Sequence, residues 1–349
     1  MSWKESGLHS GRGGSNLVGM RTNLVRLPET DHDVVIVGGG GAELSAALTL
    51  ARVRRSVLVI DGGQPRNAPA AGVHGFLSRD GMDPLALLDA GREEVRGYGG
   101  RIEGGEAVAA RGASGDFTVE LRDGRAFGAR RLLVATGLTD ELPPVPGIEQ
   151  RWGRDVVHCP YCHGWEFRDQ AIVVLSTSSA TSLQALLFRQ LSPDVTVVTH
   201  AGPLLSDEQV DDLAARGVAI VVGPVVGLAV DGGALAGVWL EDGRLVPCRA
   251  LVVRPRLVAR SKVLTALGLE ATAGLEEDLA FPTDPTGATG IRGVWAAGNV
   301  ADAMLGVVGA AAAGFAVGSA INADLVADDL DDARLPREVP EPASASARS

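Results

Sequence analysis

Two thiols stand three residues apart in Cys159-Pro160-Tyr161-Cys162, and His163 follows at once. That spacing lets the pair close a disulfide. The two sulfurs acting on each other, with helix N-terminal geometry, can bring one thiol toward neutrality, so that it exchanges with substrate disulfides. The adjoining imidazole, whose ordinary pKa is near 6.5, can accept a thiol proton at neutral pH. Other chemistries share the pattern. Cys159 to His163 also spells the C-x-x-C-H attachment signature of c-type haem, but no apolar export segment stands before it. A zinc half-site from His158, Cys159, Cys162 and His163 crowds its ligands and lacks a second C-x-x-C, and a purely structural pair is the remaining alternative. The predicted metal content is therefore none. Cys248 stands alone in a predicted strand, Leu245 to Val252, as a small buried hydrophobe.

A second chemical feature is the loop Gly38-Gly39-Gly40-Gly41. It follows the β-branched run Asp33 to Val37 and opens a helical pattern from Leu44 to Arg54; the next strand, Ser56 to Ile60, ends in Asp61. Gly38-x-Gly40 in this position lets the backbone approach a pyrophosphate at a helix N-terminus while Asp61 holds a ribose hydroxyl. The third position of the motif is Glu43 rather than glycine. It puts a side chain where helix and strand pack closely and a negative charge near the phosphates. An ordinary tight turn is the alternative reading.

The elements that position these features alternate strand and helix. Phe117–Leu121 and Ala126–Leu133 flank the hairpin signal Asp123-Gly124 and lead to Ala135-Thr136-Gly137. A proline-rich hinge, Leu142 to Gly147, precedes a second βαβ unit: strand Ala171–Leu175, helix Thr181–Leu191, strand Val195–Thr199. Late in the chain, Gly293 to Val300 reads as a strand feeding a small-residue helix over Ala303–Ile321. That stretch approaches membrane-span length, but its Ala and Gly content marks a buried glycine-rich helix. Residues 1–30 and 328–349 read as a disordered Gly/Ser-rich extension and an acidic, then Pro/Ala/Ser-rich tail, with Met20 an alternative start.

The chain has 349 residues, 46% hydrophobic and 21% charged, with 46 glycines and 3 cysteines, which predicts a globular protein of two domains. A formal charge of −11 argues against nucleic acid and membrane surfaces as partners. With no secretory signal evident, the expected location is cytoplasmic and reducing, where a cysteine pair points to chemistry rather than cross-linking.

Taken together, the glycine loop, Ala135-Thr136-Gly137, the segment Cys159 to Trp165 and Ala297-Gly298-Asn299-Val300 resemble the low-molecular-weight thioredoxin reductase family over about Asp33 to Val326. The resemblance implies an α/β fold of two Rossmann-like, three-layer domains, with a discontinuous FAD domain (31–148 and 255–327) interrupted by a nicotinamide-type domain (149–254) carrying the cysteines. It implies FAD as cofactor and a homodimer. The implied flavin contacts are Gly38, Gly40, Gly41, Asp61, Asn67, Thr136, Gly137, Gly298, Asn299 and Val300, with Asn299 replacing the family's usual Asp beside the ribityl chain. Cys162 would face the flavin and Cys159 would attack or release the substrate thiol. A helix N-terminus around Asp302 to Gly306 would stabilise charge on the reduced ring. Weaker expectations place His74-Gly75-Phe76 near the flavin ring, Arg66-Asn67 at adenosine or phosphate oxygens, and Trp165 in core packing or as a shield over the disulfide.

Two departures redirect the functional expectation. Serines and a threonine fill the glycine positions of the second unit's loop, Leu175 to Thr181, and no arginine follows the next strand at His200-Ala201-Gly202-Pro203, which disfavours NADP(H). His163 stands where the reductases usually place an acid. Both features resemble the dithiol oxidases related to thioredoxin reductase, which close disulfides in gliotoxin-like and holomycin-like products using FAD and O2. The leading expectation is therefore a flavoenzyme with Cys159, Cys162 and His163 as catalytic residues, oxidising a small-molecule dithiol with O2 as acceptor. An NADPH-dependent reductase of a thioredoxin-like protein is the second reading, and a flavin-free binding or degenerate protein the third.

Overall fold

The computed structural model describes residues 32–259, 261–274 and 278–334. Its first sheet grows from the run His32–Val37, whose Val34, Val35 and Ile36 are wholly buried, because a parallel strand covered on both faces needs continuous β-branched residues. Parallel neighbours are Val57–Asp61 on one side, itself paired with Arg101–Gly104, and Ala126–Val134 on the other. Ala126–Val134 turns back antiparallel onto Asp116–Leu121 through Asp123-Gly124, and that strand pairs with Ala107–Ala113. Leu132 to Val134 also take up the late strand Val294–Ala296 in parallel. Sequence-distant segments thus complete one sheet.

Between those visits the chain builds a second parallel sheet, in the order Ala219–Val221, Val195–Val198, Ile172–Leu175, Ala250–Val252, Val156–Val157. The antiparallel strands Val225–Asp231, Ala234–Leu240 and Leu245–Pro247 cover it. The two crossings between the sheets, Leu138–Glu141 and Arg256–Ala259, pair antiparallel with Arg256 opposite Glu141. The architecture is the expected two-unit α/β fold. The predicted strand Leu245–Val252 is in fact two: Pro247 lacks an N–H and ends the first, Cys248 lies buried between them, and Ala250–Val252 joins the other sheet.

Helix Gly41–Arg52 follows the glycine loop and crosses the last helix, Val307–Arg334. The crossing is close enough that a Cβ on Gly314 would lie 1.9 Å from the carbonyl oxygen of Ala42, so that position admits only glycine. The small-residue stretch of the late helix, which by length and hydropathy could span a membrane, is only 28% buried rather than the buried helix expected, because Gly314 and Gly318 pack one face on helix Gly41–Arg52 while Val308 and Phe315 stay exposed on another. The helix begins at Val307, and the segment from Asp302 to Gly306 that was expected to form its N-terminus is loop.

The helix also runs past the predicted start of the tail: residues 328–334 are helical. The reason is charge. Arg131 is fully buried in the first sheet and pairs with Asp324 at 2.5 Å and with Asp328, while Asp329 takes Arg55 and Arg130, each at 2.7 Å. A buried guanidinium must be paired, so these aspartates belong to the fold. The expected extension at 1–30 and the tail beyond Arg334 lie outside the described residues.

Candidate active site

Cys159 is the N-cap residue of a one-turn helix, Pro160–His163, in which proline occupies the first position, where a missing N–H costs nothing. The chain leaves this turn through Gly164, where a Cβ would meet the Pro160 carbonyl oxygen at 2.4 Å. The Cys159 and Cys162 sulfurs are 2.6 Å apart, within reach of a disulfide. The neighbouring Cys162 thiol, the backbone N–H groups of Cys162 and Tyr161 and the Arg66 charge push the Cys159 thiol down to about 7. The hydrogen bond to Cys159, burial and the Cys159 charge push Cys162 up instead. The reduced pair is therefore about half ionised at neutral pH, and the charge sits on Cys159. Cys248, by contrast, is pushed up to about 12 by burial and stays an inert thiol.

A cleft of about 370 Å³ opens beside the dithiol, walled by Pro69, Ala71, Gly72 and His74 from one unit and by Gly153, Arg154, Cys162, His163, Glu166 and Phe167 from the other. Cys162 rather than Cys159 faces this space. Both ring nitrogens of His163 are buried there with no hydrogen-bond partner, and burial holds its pKa below the usual imidazole value. A neutral ring with an open nitrogen can accept a proton. His158 is driven further, down to about 4, by burial and the charges of Arg66 and Arg254, and its carbonyl accepts from Gln184. Among the described residues no group of three or more His, Cys, Asp or Glu is placed to hold a metal ion.

The weaker expectations from the sequence meet mixed outcomes around the cysteines. His74 lies between Asp80, 3.4 Å from Nδ1, and Glu166, 3.5 Å from Nε2, and so links the first unit to the turn after the cysteines. Arg66, expected at adenosine or phosphate oxygens, instead pairs with Asp140 at 2.5 Å and acts electrostatically on the cysteines. Asn67 lies half-buried beside it and turns the chain by accepting from the Ala70 N–H. Trp165 is no core residue: it is 64% exposed, with the Arg168 guanidinium 4.4 Å from its ring centroid.

The glycine loop leads directly into helix Gly41–Arg52, with Gly40 as its N-cap. Asp61 ends its strand below the loop, and a Cβ at Gly39 would fall 2.0 Å from its carboxyl carbon. Arg92, from helix Pro84–Gly97, grips Asp61 at 2.7 Å, and the Gly63 N–H donates to its other oxygen. Thr136 and Gly137 follow Ala135, whose carbonyl lies 3.0 Å from a Cβ placed on Gly38, and a Cβ on Gly298 would touch Ala42 at 3.0 Å. Gly38, Gly40, Gly41, Asp61, Thr136, Gly137 and Gly298 are thus assembled around one cradle. The Asn299 amide nitrogen donates to the carbonyls of Asp302 and Leu305, each at 3.0 Å, and closes the loop before the last helix. Val300 is fully buried, and its carbonyl accepts from Phe281 N–H.

In the second unit the corresponding loop is filled. Ser176 is 1% exposed and its oxygen lies 2.5 Å from a Cβ placed on Gly202, while Ser178 accepts from Ala180 N–H and its carbonyl accepts from the Thr181 hydroxyl. Arginines do reach this loop, from the segment after Val252 rather than from the turn after Val198. Arg254 and Arg256 line a 290 Å³ cleft with Thr177 and Ser178, but are bound to Asp278 and Glu141, each at 2.7 Å.

A discontinuous parallel sheet with a glycine-rich cradle, interrupted by a second parallel unit bearing a dithiol turn, defines a two-domain disulfide oxidoreductase. The chain belongs to the pyridine nucleotide-disulphide oxidoreductase family, whose model matches residues 32–320. It is 32% identical over 323 residues to thioredoxin reductase sirT of Leptosphaeria maculans, covering 85% of this chain and 95% of that one. It is likewise 32% identical over 310 residues to thioredoxin reductase tcpT of Claviceps purpurea, with the same shares covered. The crystal structure of HlmI superposes with a TM-score of 0.81 at 46% identity, covering 86% of this chain and 95% of that one. The chain is a thioredoxin reductase-like oxidoreductase with FAD as its cofactor. The cradle's backbone fits that group, with glycines where a chain must approach a phosphate and Asp61 at the end of the next strand, but the Glu43 side chain stands in the space beside Gly38 and Gly40.

Proposed function

We propose that this flavoprotein oxidises a small dithiol to its disulfide through Cys159 and Cys162, with O2 as the final acceptor and without NADP(H). The observation that carries this reading is the pair of sulfurs, 2.6 Å apart, with a neutral, unpartnered His163 that shares one cleft with Cys162. The self-filled loop at Ser176–Thr181 supports the exclusion of a nicotinamide dinucleotide.

The chain's residues act on protons and sulfurs. His163 takes the proton of an incoming substrate thiol, and the thiolate attacks Cys159, breaking the Cys159–Cys162 bond and leaving the electron pair on Cys162. The second substrate thiol then attacks the mixed disulfide and expels Cys159, which leaves readily because its pKa lies near 7. The net exchange turns one dithiol and one enzyme disulfide into one substrate disulfide and two enzyme thiols. Bound FAD supplies the two-electron passage from those thiols to O2, which departs as hydrogen peroxide. Trp165 and Tyr161, exposed beside the cysteines, offer an apolar rim to such a substrate.

The same reading includes a cytoplasmic homodimer, and Val308, Phe315, Val326 and Leu330 form an exposed apolar stripe on the last helix suited to a partner copy. The reductase alternative keeps one observation in its favour, the arginines beside the serine loop. Anaerobic titration of the yellow protein separates the two. Bleaching by a small dithiol alone, with peroxide formed on admitting O2, is the expected result; bleaching by NADPH with no response to dithiol refutes the oxidase.

A further inference from the structure

The carboxyl group of Glu43 lies inside the loop that the FAD pyrophosphate has to approach. Glu43 is the third residue of helix Gly41–Arg52, only 5% exposed, and its oxygens accept from the backbone N–H groups of Gly40 and of Glu43 itself. A Cβ at Gly38 would fall 2.0 Å from Oε1, and one at Gly40 would lie 3.2 Å from Oε2. The side chain thus occupies the space left by both motif glycines and uses the donors at the helix start. In this layout those donors are the ones offered to an anion, and a helix N-terminus has no reason to hold two anions at once.

We infer that Glu43 and the pyrophosphate compete for the same backbone N–H groups, so that FAD enters with the carboxyl neutral or swung aside and is held more tightly as the solution becomes more acidic.

The surroundings favour a carboxyl that is neutral at physiological pH. Burial pushes Glu43 up to about 8, and the Asp61 charge adds to that shift against the pull of the backbone N–H groups. Behind Asp61 stands Arg92, engaged with Asp61 and Asp89. The other segments that approach the loop bring the Ala135 carbonyl, and Val307 beside Gly41. Among the described residues Asp61 is therefore the one ionisable group acting on Glu43 through charge. Burial of a neutral acid also explains how a glutamate survives at a position that ordinarily needs glycine: protonated, it can donate as well as accept.

The inference rests on FAD binding by the family and is independent of the electron acceptor. It is tested by FAD fluorescence quenching on apoprotein, from about pH 6 to about pH 9, for the parent chain, E43Q and E43A, with circular dichroism at each pH to monitor folding. The parent's dissociation constant should stay level on the acid side and rise about tenfold per pH unit once the carboxyl ionises. E43Q, neutral throughout and of equal size, should give a flat profile. E43A, which vacates the donors, should be flat and tighter. A flat parent profile, or a slope that persists in E43Q, overturns the inference. No quenching with any of the three overturns it together with the cofactor assignment, whereas lost dithiol turnover with intact FAD binding bears on the oxidase reading alone.

Discussion

Replacing Cys162 by alanine should move the reactivity of Cys159 by an amount the structure lets us work out. In the intact pair Cys159 falls from an ordinary thiol value of 9.0 to about 7, and its largest single cause is the hydrogen bond from Cys162, 2.6 Å away. Burial works in the opposite direction, so removing that donor leaves only two backbone N–H groups and Arg66 to hold the thiolate. If the value returns to the ordinary range, the thiolate fraction at pH 7 drops from about one half to about one hundredth, and alkylation slows about fiftyfold. The assay is iodoacetamide modification of the reduced protein, followed by mass spectrometry across pH. The parent should label at a single thiol with a midpoint near 7, because Cys162 is pushed far up and Cys248 is held at about 12. C162S, which keeps a hydroxyl donor, should fall between the parent and C162A. A C162A midpoint still near 7 would refute the reasoning, since the backbone and Arg66 would then account for the whole shift.

Three further outcomes are expected. H163Q should lower the dithiol-driven reduction of the protein by about two to four orders of magnitude and abolish the acid limb of its pH profile, which in the parent rises as His163 loses its proton below the usual imidazole range, as stopped-flow would show. G314A should destabilise the chain despite a gain of about 1 kcal/mol in helix propensity, because its Cβ would meet the Ala42 carbonyl oxygen at 1.9 Å and overpacking costs about 1–3 kcal/mol; thermal unfolding checks the sign. Glu43 keeps its proton in the folded apoprotein where the unfolded chain has lost it, so stability should fall as pH rises from 4.5 to about 8 and level off above. Each unit of that interval costs about 1.4 kcal/mol, and urea titrations of E43Q should show the slope removed.

Legibility in the sequence followed physical range. The strand His32–Val37, the glycine loop and Asp61 form one local unit whose periodicity and turn chemistry are written in consecutive residues, and the same holds for the one-turn helix that Pro160 opens after Cys159. What lay beyond reach depends on contacts between distant segments. Nothing near Arg131 announces that Asp324 and Asp328 will pair with it, and without that knowledge an acidic run reads as solvated tail rather than helix. Arg66 follows Asp61 by five residues and so reads as a nucleotide contact, yet Asp140 draws it to the cysteines. Asn299 matches the family's acid in type and place, and nothing beside it in the sequence signals that its amide protons also go to the carbonyls of Asp302 and Leu305. In each case residue type was informative and the partner was not.

The two nucleotide-type loops answer the same geometric problem in opposite ways. At Ser176–Thr181 the loop bonds to itself: Ser178 Oγ accepts from the Ala180 N–H, the Ser178 carbonyl accepts from the Thr181 N–H and hydroxyl, and the neighbouring turn at Gly202 packs directly on Ser176, so opening the loop means moving backbone against backbone. At Gly38–Glu43 the donors are met by one long side chain rooted on the helix, with four glycines, Gly38 to Gly41, before it. A side chain can leave by rotating, whereas a packed turn cannot. The first loop is therefore closed reversibly and the second structurally, which makes the first the place where a dinucleotide can be admitted under control of a proton.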